Sequence, residues 1–183
     1  MALLRRGEAD LALTFEYPGV ATDEGADLTK LPLLADPLLA VLPAGHRLAH
    51  AGILGLEQLA DQTWIAGCER CRAHLLQLAA AAGFTPRIAF ATDDYVAVQR
   101  LVAVGLGVAL LPQLVLGTVQ LPGLVATPLV SAPQRQILVL TPAGAQQPPA
   151  IAATVVALQA ASAAMTDQQT RDQTVDRPPD TRQ

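Results

Sequence analysis

The stretch from Arg87 to Pro112, RIAFATDDYVAVQRLVAVGLGVALLP, limits what this chain can fold into more than any other. It opens with a short apolar run, Arg87 to Ala91, of the length of a buried strand. Thr92, Asp93 and Asp94 follow, and their side-chain oxygens suit the unpaired N–H groups of a helix start. From Tyr95 onward, Val98, Leu101, Val102 and Gly105 fall at the i, i+3, i+4, i+7 spacing of one helical face. Gly105 and Gly107 permit the left-handed turn that ends such a helix. Val108 to Leu111 is a second apolar run, closed by Pro112. This order predicts a right-handed βαβ unit with a parallel pair of strands. In open parallel sheets ligands bind beyond the carboxyl ends of the strands, where helix N-termini point. The loop from Thr92 to Tyr95 is therefore the first candidate binding site.

Composition narrows the class. With 183 residues, 51% hydrophobic and 15% charged, the chain can bury a core as one good-sized domain or two small ones. A net charge of −4 does not suit nucleic-acid binding, which needs a clustered basic surface. No uninterrupted apolar run reaches the roughly 18 residues of a membrane span. Arg5 and Arg6 lead into no apolar core with a cleavage site, so no signal peptide is expected. Two cysteines without an export sequence place the chain in a reducing cytoplasm. Catalytic signatures are missing: there is no G-x-S-x-G elbow, no phosphate loop and no H-E-x-x-H. The chain is read as a non-enzyme without cofactor or metal.

Along the chain, Met1 to Gly7 resembles the last turn of a helix, with basic residues near its end and a glycine beyond. Asp10 to Thr14 is a short strand, and Thr14 to Ala26 reads as loop. Leu28 to Leu34 and Asp36 to Leu42 are extended, with Pro32 and Pro37 arguing for edge or connecting strands. Leu56 to Ala60 is a short helix and Thr63 to Ala66 a strand. Cys71 to Ala82 is a helix whose inner face is Leu75, Leu78, Ala79 and Ala82, ended by Gly83. Gln113 starts another short helix, Leu124 to Val130 and Gln136 to Thr141 are strands, and Ala150 to Met165 is helical. Thr166 to Gln183 is polar and predicts a disordered tail.

Several side chains carry chemistry. Cys68-Glu-Arg-Cys71 is a C-x-x-C at a helix start, where thiolates are stabilised and redox motifs are built. His74 lies one turn beyond Cys71, so a metal is conceivable, although a second ligand pair is not evident. Two small residues lining a loop and helix is the plainer account. Gly67 and Cys68 precede helical N–H groups that suit a carboxylate oxygen. Asp93 and Asp94 themselves favour the positive helix end and so weaken simple anion binding at Thr92 to Tyr95. Trp64 is read as core, and His46 and His50 as solvated loop residues.

The segments GEADLAL, DPLLAVLPAGHRLA, LEQLADQTWI and AAGFTPRIAFATDDYVAVQRLVAVGLGVALLP, in that order, resemble the effector-binding domain of LysR-type transcriptional regulators. The last segment is the most specific, and the resemblance covers about residues 1 to 164. It implies an α/β, two-lobed, periplasmic-binding-protein-like (type 2) fold with two crossover strands and an effector between the lobes. The crossovers would be Asp36 to Leu42 and Gln134 to Thr141. Residues 1–42 and 133–165 would make a partial first subdomain, 43–132 the second, and 166–183 the tail. Family members begin with a winged helix-turn-helix and further strands that have no counterpart here. The first lobe is therefore expected to be incomplete and the chain unable to bind DNA by itself.

The implied effector-binding residues are Thr14, Phe15, Gly67, Cys68, Thr92, Asp93, Tyr95 and Pro112, with a small organic acid or amino acid as effector. A homo-oligomer is implied and membrane association is not. Hinge changes at Leu39 to Pro43 and Gln134 to Leu138 would carry the response. Exposed strand edges and apolar surface in the first lobe predict poor solubility or self-association. A stand-alone solute-binding protein of the periplasmic type is the alternative, and an enzyme on the same two-lobed fold would need a catalytic pair that is not found.

Overall fold

The computed structural model describes residues 2–20, 27–144 and 148–175. In chain order the elements are α1 (Ala2–Arg5), β1 (Ala12–Glu16), β2 (Leu28–Pro43), β3 (Thr63–Ala66), α2 (Glu69–Ala81), β4 (Arg87–Ala91) and α3 (Tyr95–Ala103). They continue with β5 (Ala109–Pro112), α4 (Gln113–Thr118), β6 (Leu124–Thr127), β7 (Gln134–Pro142) and α5 (Pro149–Val175). A 3-10 turn at Leu56–Leu59 precedes β3. The chain divides into two compact units. The first holds residues 1–15, 23–34 and 136–183, and the second holds 16–22 and 35–135.

In the first unit β7 lies between β1 and β2, over a small core of Leu4, Leu28 and Leu140 with Ala9 and Ala12 against it. In the second unit the later half of β2 pairs antiparallel with β5, Leu38 opposite Pro112 and Val41 opposite Ala109. It also pairs antiparallel with β6, Ala40 opposite Thr127 and Pro43 opposite Leu124. Ala40, Val41 and Leu42 are wholly buried there. Two cores flank this sheet. One gathers Leu42, Leu54, Leu59, Trp64 and Leu75, and the other gathers Val41, Ile65, Val98, Val102 and Leu111. Trp64 belongs to the core, as its sequence context predicts.

Several expectations are corrected. The Arg87–Pro112 unit is not an adjacent parallel pair. β4 pairs in parallel with β3, and the strand after α3 reaches β3 through the parallel bridge Trp64 to Val108. Strand β3 thus lies between the two, and the spacing read along one stretch cannot reveal a strand inserted from earlier in the chain. Gly105 ends α3 in the left-handed region at φ 79°, while Gly107 serves packing: a Cβ there would sit 2.7 Å from the Thr63 carbonyl oxygen.

Pro32 and Pro37 do not break the extended region, because β2 is one strand of 16 residues. Its registers with β5 and β6 begin at Leu38, beyond both prolines, so those two pairings need no N–H from either. Thr14, Phe15 and Glu16 lie inside β1 rather than in a loop after it. Residues 35–42 belong with the second unit, since their pairing is with β5 and β6. Ala40 and Val41 are buried and paired with both β5 and β6.

Helix α5 runs on to Val175, past the expected tail start at Thr166, and residues 176–183 lie outside the described residues. Polar residues such as Gln and Arg are good helix formers and need no buried face to extend a helix already started. The segment Pro149–Thr166 has a mean hydropathy of 1.4 over 18 residues and is 6% buried, so α5 is long and apolar enough to cross a membrane. Averaging across its scattered Thr, Gln and Ser residues reveals this, where a search for uninterrupted apolar runs does not.

Candidate functional site

The second unit places strand ends and helix starts together. β3 and β4 are parallel and close in register at Ala66 and Ala91. Each runs directly into a helix: α2 with Cys68 as its N-cap, and α3 with Asp94. The Thr92 N–H donates to the Ala66 carbonyl at 3.1 Å, which brings the Gly67–Cys68 and Thr92–Asp94 loops side by side. Local chemistry builds each loop. The Asp94 carboxylate accepts from Val96 N–H at 2.8 Å and Ala97 N–H at 3.1 Å, and the Thr92 hydroxyl oxygen accepts from Asp94 N–H at 3.2 Å. Gly67 packs closely on α2, since a Cβ there would lie 3.1 Å from that of Cys71.

Tyr95, on the first turn of α3, meets a buried charge pair. Arg135 Nη1 donates to its hydroxyl at 3.2 Å. The same guanidinium grips Asp36, with Nε donating to Oδ2 at 2.9 Å and Nη2 2.8 Å from it. Asp36 Oδ1 also accepts from Leu114 N–H at 3.0 Å, which anchors the start of α4. Burial raises the Asp36 pKa, opposed by the Leu114 N–H and by Arg135. Burial also works against the Arg135 charge, but Asp36 and Tyr95 outweigh it and hold the proton more firmly than usual. Burial raises the Tyr95 pKa as well, so its hydroxyl stays protonated.

A second group lies within electrostatic reach of the first. Burial foremost, with Cys71 and Tyr95 adding to it and Arg135 opposing, raises the pKa of Tyr17. Its hydroxyl donates to Cys71 Sγ at 3.5 Å, and its ring stacks on His74 with centroids 4.3 Å apart and planes 11° from parallel. His74 is buried and neither ring nitrogen has a hydrogen-bond partner. Burial lowers its pKa, partly offset by Gln77. Tyr17, Cys71, His74, Ile65 and Gly67 border a cavity of about 20 Å³, the room of a single water. A larger hollow of about 350 Å³ beyond His74 is bordered by Gln77, Ser131, Ala132 and Pro133. Ala132 there holds φ 41°, a costly backbone state for a residue with a Cβ.

Of the residues singled out in the sequence, Gly67, Cys68, Thr92 and Tyr95 are brought together. Asp93 is exposed beside them, and Pro112 is buried at the end of β5 opposite Leu38. Thr14 and Phe15 lie in β1 of the first unit. Tyr17, Asp36 and Arg135 escaped the sequence reading, and His74 was considered there only as a conceivable metal ligand. A trace of two of them was legible, because Asp36 and Arg135 are the charged residues of the two expected crossover segments. Among the described residues no group of three His, Cys, Asp or Glu could hold a metal ion. His46 is tied into its loop, its Nδ1 accepting from Leu48 N–H and its Nε2 3.2 Å from Gln62 Oε1.

The LysR substrate binding domain family model matches residues 1–163. The chain belongs to this family. It is the effector-binding domain of a LysR-type regulator, with the α/β fold of that group. One relative is the HTH-type transcriptional regulator ShiR of Corynebacterium glutamicum (strain R), 33% identical over 114 residues. That match covers 60% of this chain and 37% of ShiR, so the chain spans well under half of this curated relative. The regulatory domain of Synechocystis PCC6803 CcmR, solved in complex with 2-PG, shares the fold with a TM-score of 0.75 at 22% identity, covering 88% of this LysR-type chain and 77% of that one. The effector binding domain of QuiR in complex with shikimate aligns with a TM-score of 0.68 at 22% identity, over 81% of this chain and 69% of that one.

Proposed function

We propose that this LysR-type domain senses a small carboxylate-bearing molecule, an organic acid or an amino acid, at the carboxyl ends of β3 and β4. The supporting observation is the buried Arg135 guanidinium with the Tyr95 hydroxyl on it and Tyr17 within electrostatic reach, beside two helix starts. Protonated tyrosine hydroxyls donate to a carboxylate oxygen, and helix N-termini favour a negative group. Gly67, Cys68, Thr92, Asp93 and Tyr95 border the ligand, with Pro112 fixing the end of β5. Asp36 positions Arg135 rather than touching the ligand.

The response is a population shift: a ligand moves an equilibrium only by its unequal affinity for the two conformations. The protein acts in the cytoplasm as a homo-oligomer without catalysis, and its signal is read by the DNA-binding part of a regulator. The shikimate bound by QuiR and the 2-PG bound by CcmR make both compounds first choices for a panel of organic acids and amino acids. One panel member is expected to raise the melting temperature, with a gain approaching about 2.7 kcal/mol at a hundredfold excess over Kd. Tyr95→Phe and Thr92→Val should weaken that binding by calorimetry while the fold is kept. A well-folded protein that binds no member of the panel overturns the carboxylate reading.

A further inference from the structure

Cys68 borders the proposed ligand, but its pairing with Cys71 has no part in that reading, and the placement of the two thiols is specific. Their Sγ atoms are 2.8 Å apart, closer than two unbonded sulfurs rest, against about 2.05 Å in a disulfide. Both are free and partly buried. Cys68 is the N-cap of α2, its Sγ accepting from Cys71 N–H at 3.4 Å, and a Cβ at Gly67 would lie 3.3 Å from Cys71 Sγ. The only polar side chain outside the pair that is bonded to either sulfur, among the described residues, is the Tyr17 hydroxyl on Cys71. We infer that Cys68 and Cys71 form a reversible dithiol–disulfide couple whose oxidant is a low-molecular-weight disulfide such as oxidised glutathione.

The exchange balances as two successive substitutions at sulfur. One cysteine thiolate, its proton given to water, attacks a glutathione sulfur. A protein–glutathione disulfide forms and one glutathione thiolate leaves. The second cysteine then loses its proton and attacks the protein-side sulfur, so the Cys68–Cys71 bond forms and the second glutathione thiolate leaves. Two protein thiols are oxidised and one glutathione disulfide is reduced to two thiols. Cys71, pushed up to about 11 by burial and by the thiol of Cys68, keeps its proton in the resting state and suits the second, resolving step. The short loop and the near-contact of the sulfurs favour that step over release of the mixed adduct. In a reducing cytoplasm the couple rests as the dithiol and closes under oxidative load.

The test reads thiol chemistry alone, so its outcome is independent of the identity of any effector. The chain holds just these two cysteines, and intact mass is therefore unambiguous. The native protein is equilibrated in glutathione buffers of rising oxidised fraction, then quenched with acid and alkylated. The expected result is loss of both alkylatable thiols in one step with the mass of two hydrogens removed, reversed by dithiothreitol. C68S and C71S should each stop at a stable glutathione adduct. Persistent double alkylation at the most oxidising ratio overturns the inference. So does a wild-type protein that halts at glutathione adducts, or one that forms only disulfides between copies on a non-reducing gel. The wild-type result decides the matter even if a serine variant fails to fold.

Discussion

His74 shows how a single side chain can couple this domain to pH. It is buried and stacked on Tyr17, so charging it in place is costly. Its pKa is lowered by burial, which means the unfolded chain binds the proton more readily than the folded one. Stability is then fully present above the ordinary histidine value and is lost as pH falls through it toward the lowered value. Asp36, whose pKa is raised, works in the opposite sense at more acidic pH. Denaturant unfolding from pH 7.5 down to pH 5.5 should show falling stability, and His74→Gln should flatten that slope. An equal slope in the variant would assign the effect elsewhere.

The Asp36–Arg135 pair behaves as a unit for the same reason. The Asp36 carboxylate is held by Leu114 N–H and by two Arg135 nitrogens, and both side chains are nearly shielded from water. Removing one partner strands the other charge. Asp36→Leu or Arg135→Met alone should cost about 3–5 kcal/mol, while the double variant should cost much less than the sum. Chemical denaturation of the four proteins makes a double-mutant cycle that measures this.

At the scale of elements, helix α3 is the most self-determined part of the chain. Its Asp94 cap satisfies two N–H groups that would otherwise lack partners. At the other end, Gly105 N–H donates to Val102 and Leu106 N–H to Leu101. Asp94→Ala should destabilise the domain by about 1 kcal/mol, read as a shift in the urea midpoint with the slope unchanged. Gln99 on the same helix gives the contrary lesson. It is buried, donating to the Val119 carbonyl at 3.0 Å and accepting from Leu121 N–H at 2.9 Å. A periodicity argument counts it as polar and therefore outward, because the backbone groups it serves come from a loop about 20 residues away.

At the scale of the whole molecule, apolar surface is unevenly covered. The second unit has two packed cores, whereas α5 exposes Val156 at 63% and Met165 at 44%. A long apolar helix with so little covered surface favours association in water. Sedimentation should show mass rising with concentration, and Val156→Glu should shift the balance back toward the monomer. A chain that stays monomeric and melts in one cooperative step counts against this.

What the residues themselves determined was local: where helices start and stop, which runs are strands, and the family signature in Arg87–Pro112. Capping, glycine turns and side-chain periodicity act within a few positions, so they are written contiguously and survive without knowledge of the rest. Only the tertiary structure decided that β3 lies between β4 and the strand following α3, that β2 is continuous through two prolines, and which polar groups meet. Asp36 and Arg135 are 99 positions apart, and Tyr17 and Cys71 are 54 apart. Their pairing is set by strand order and burial, which join distant segments through energies that no short window of sequence contains.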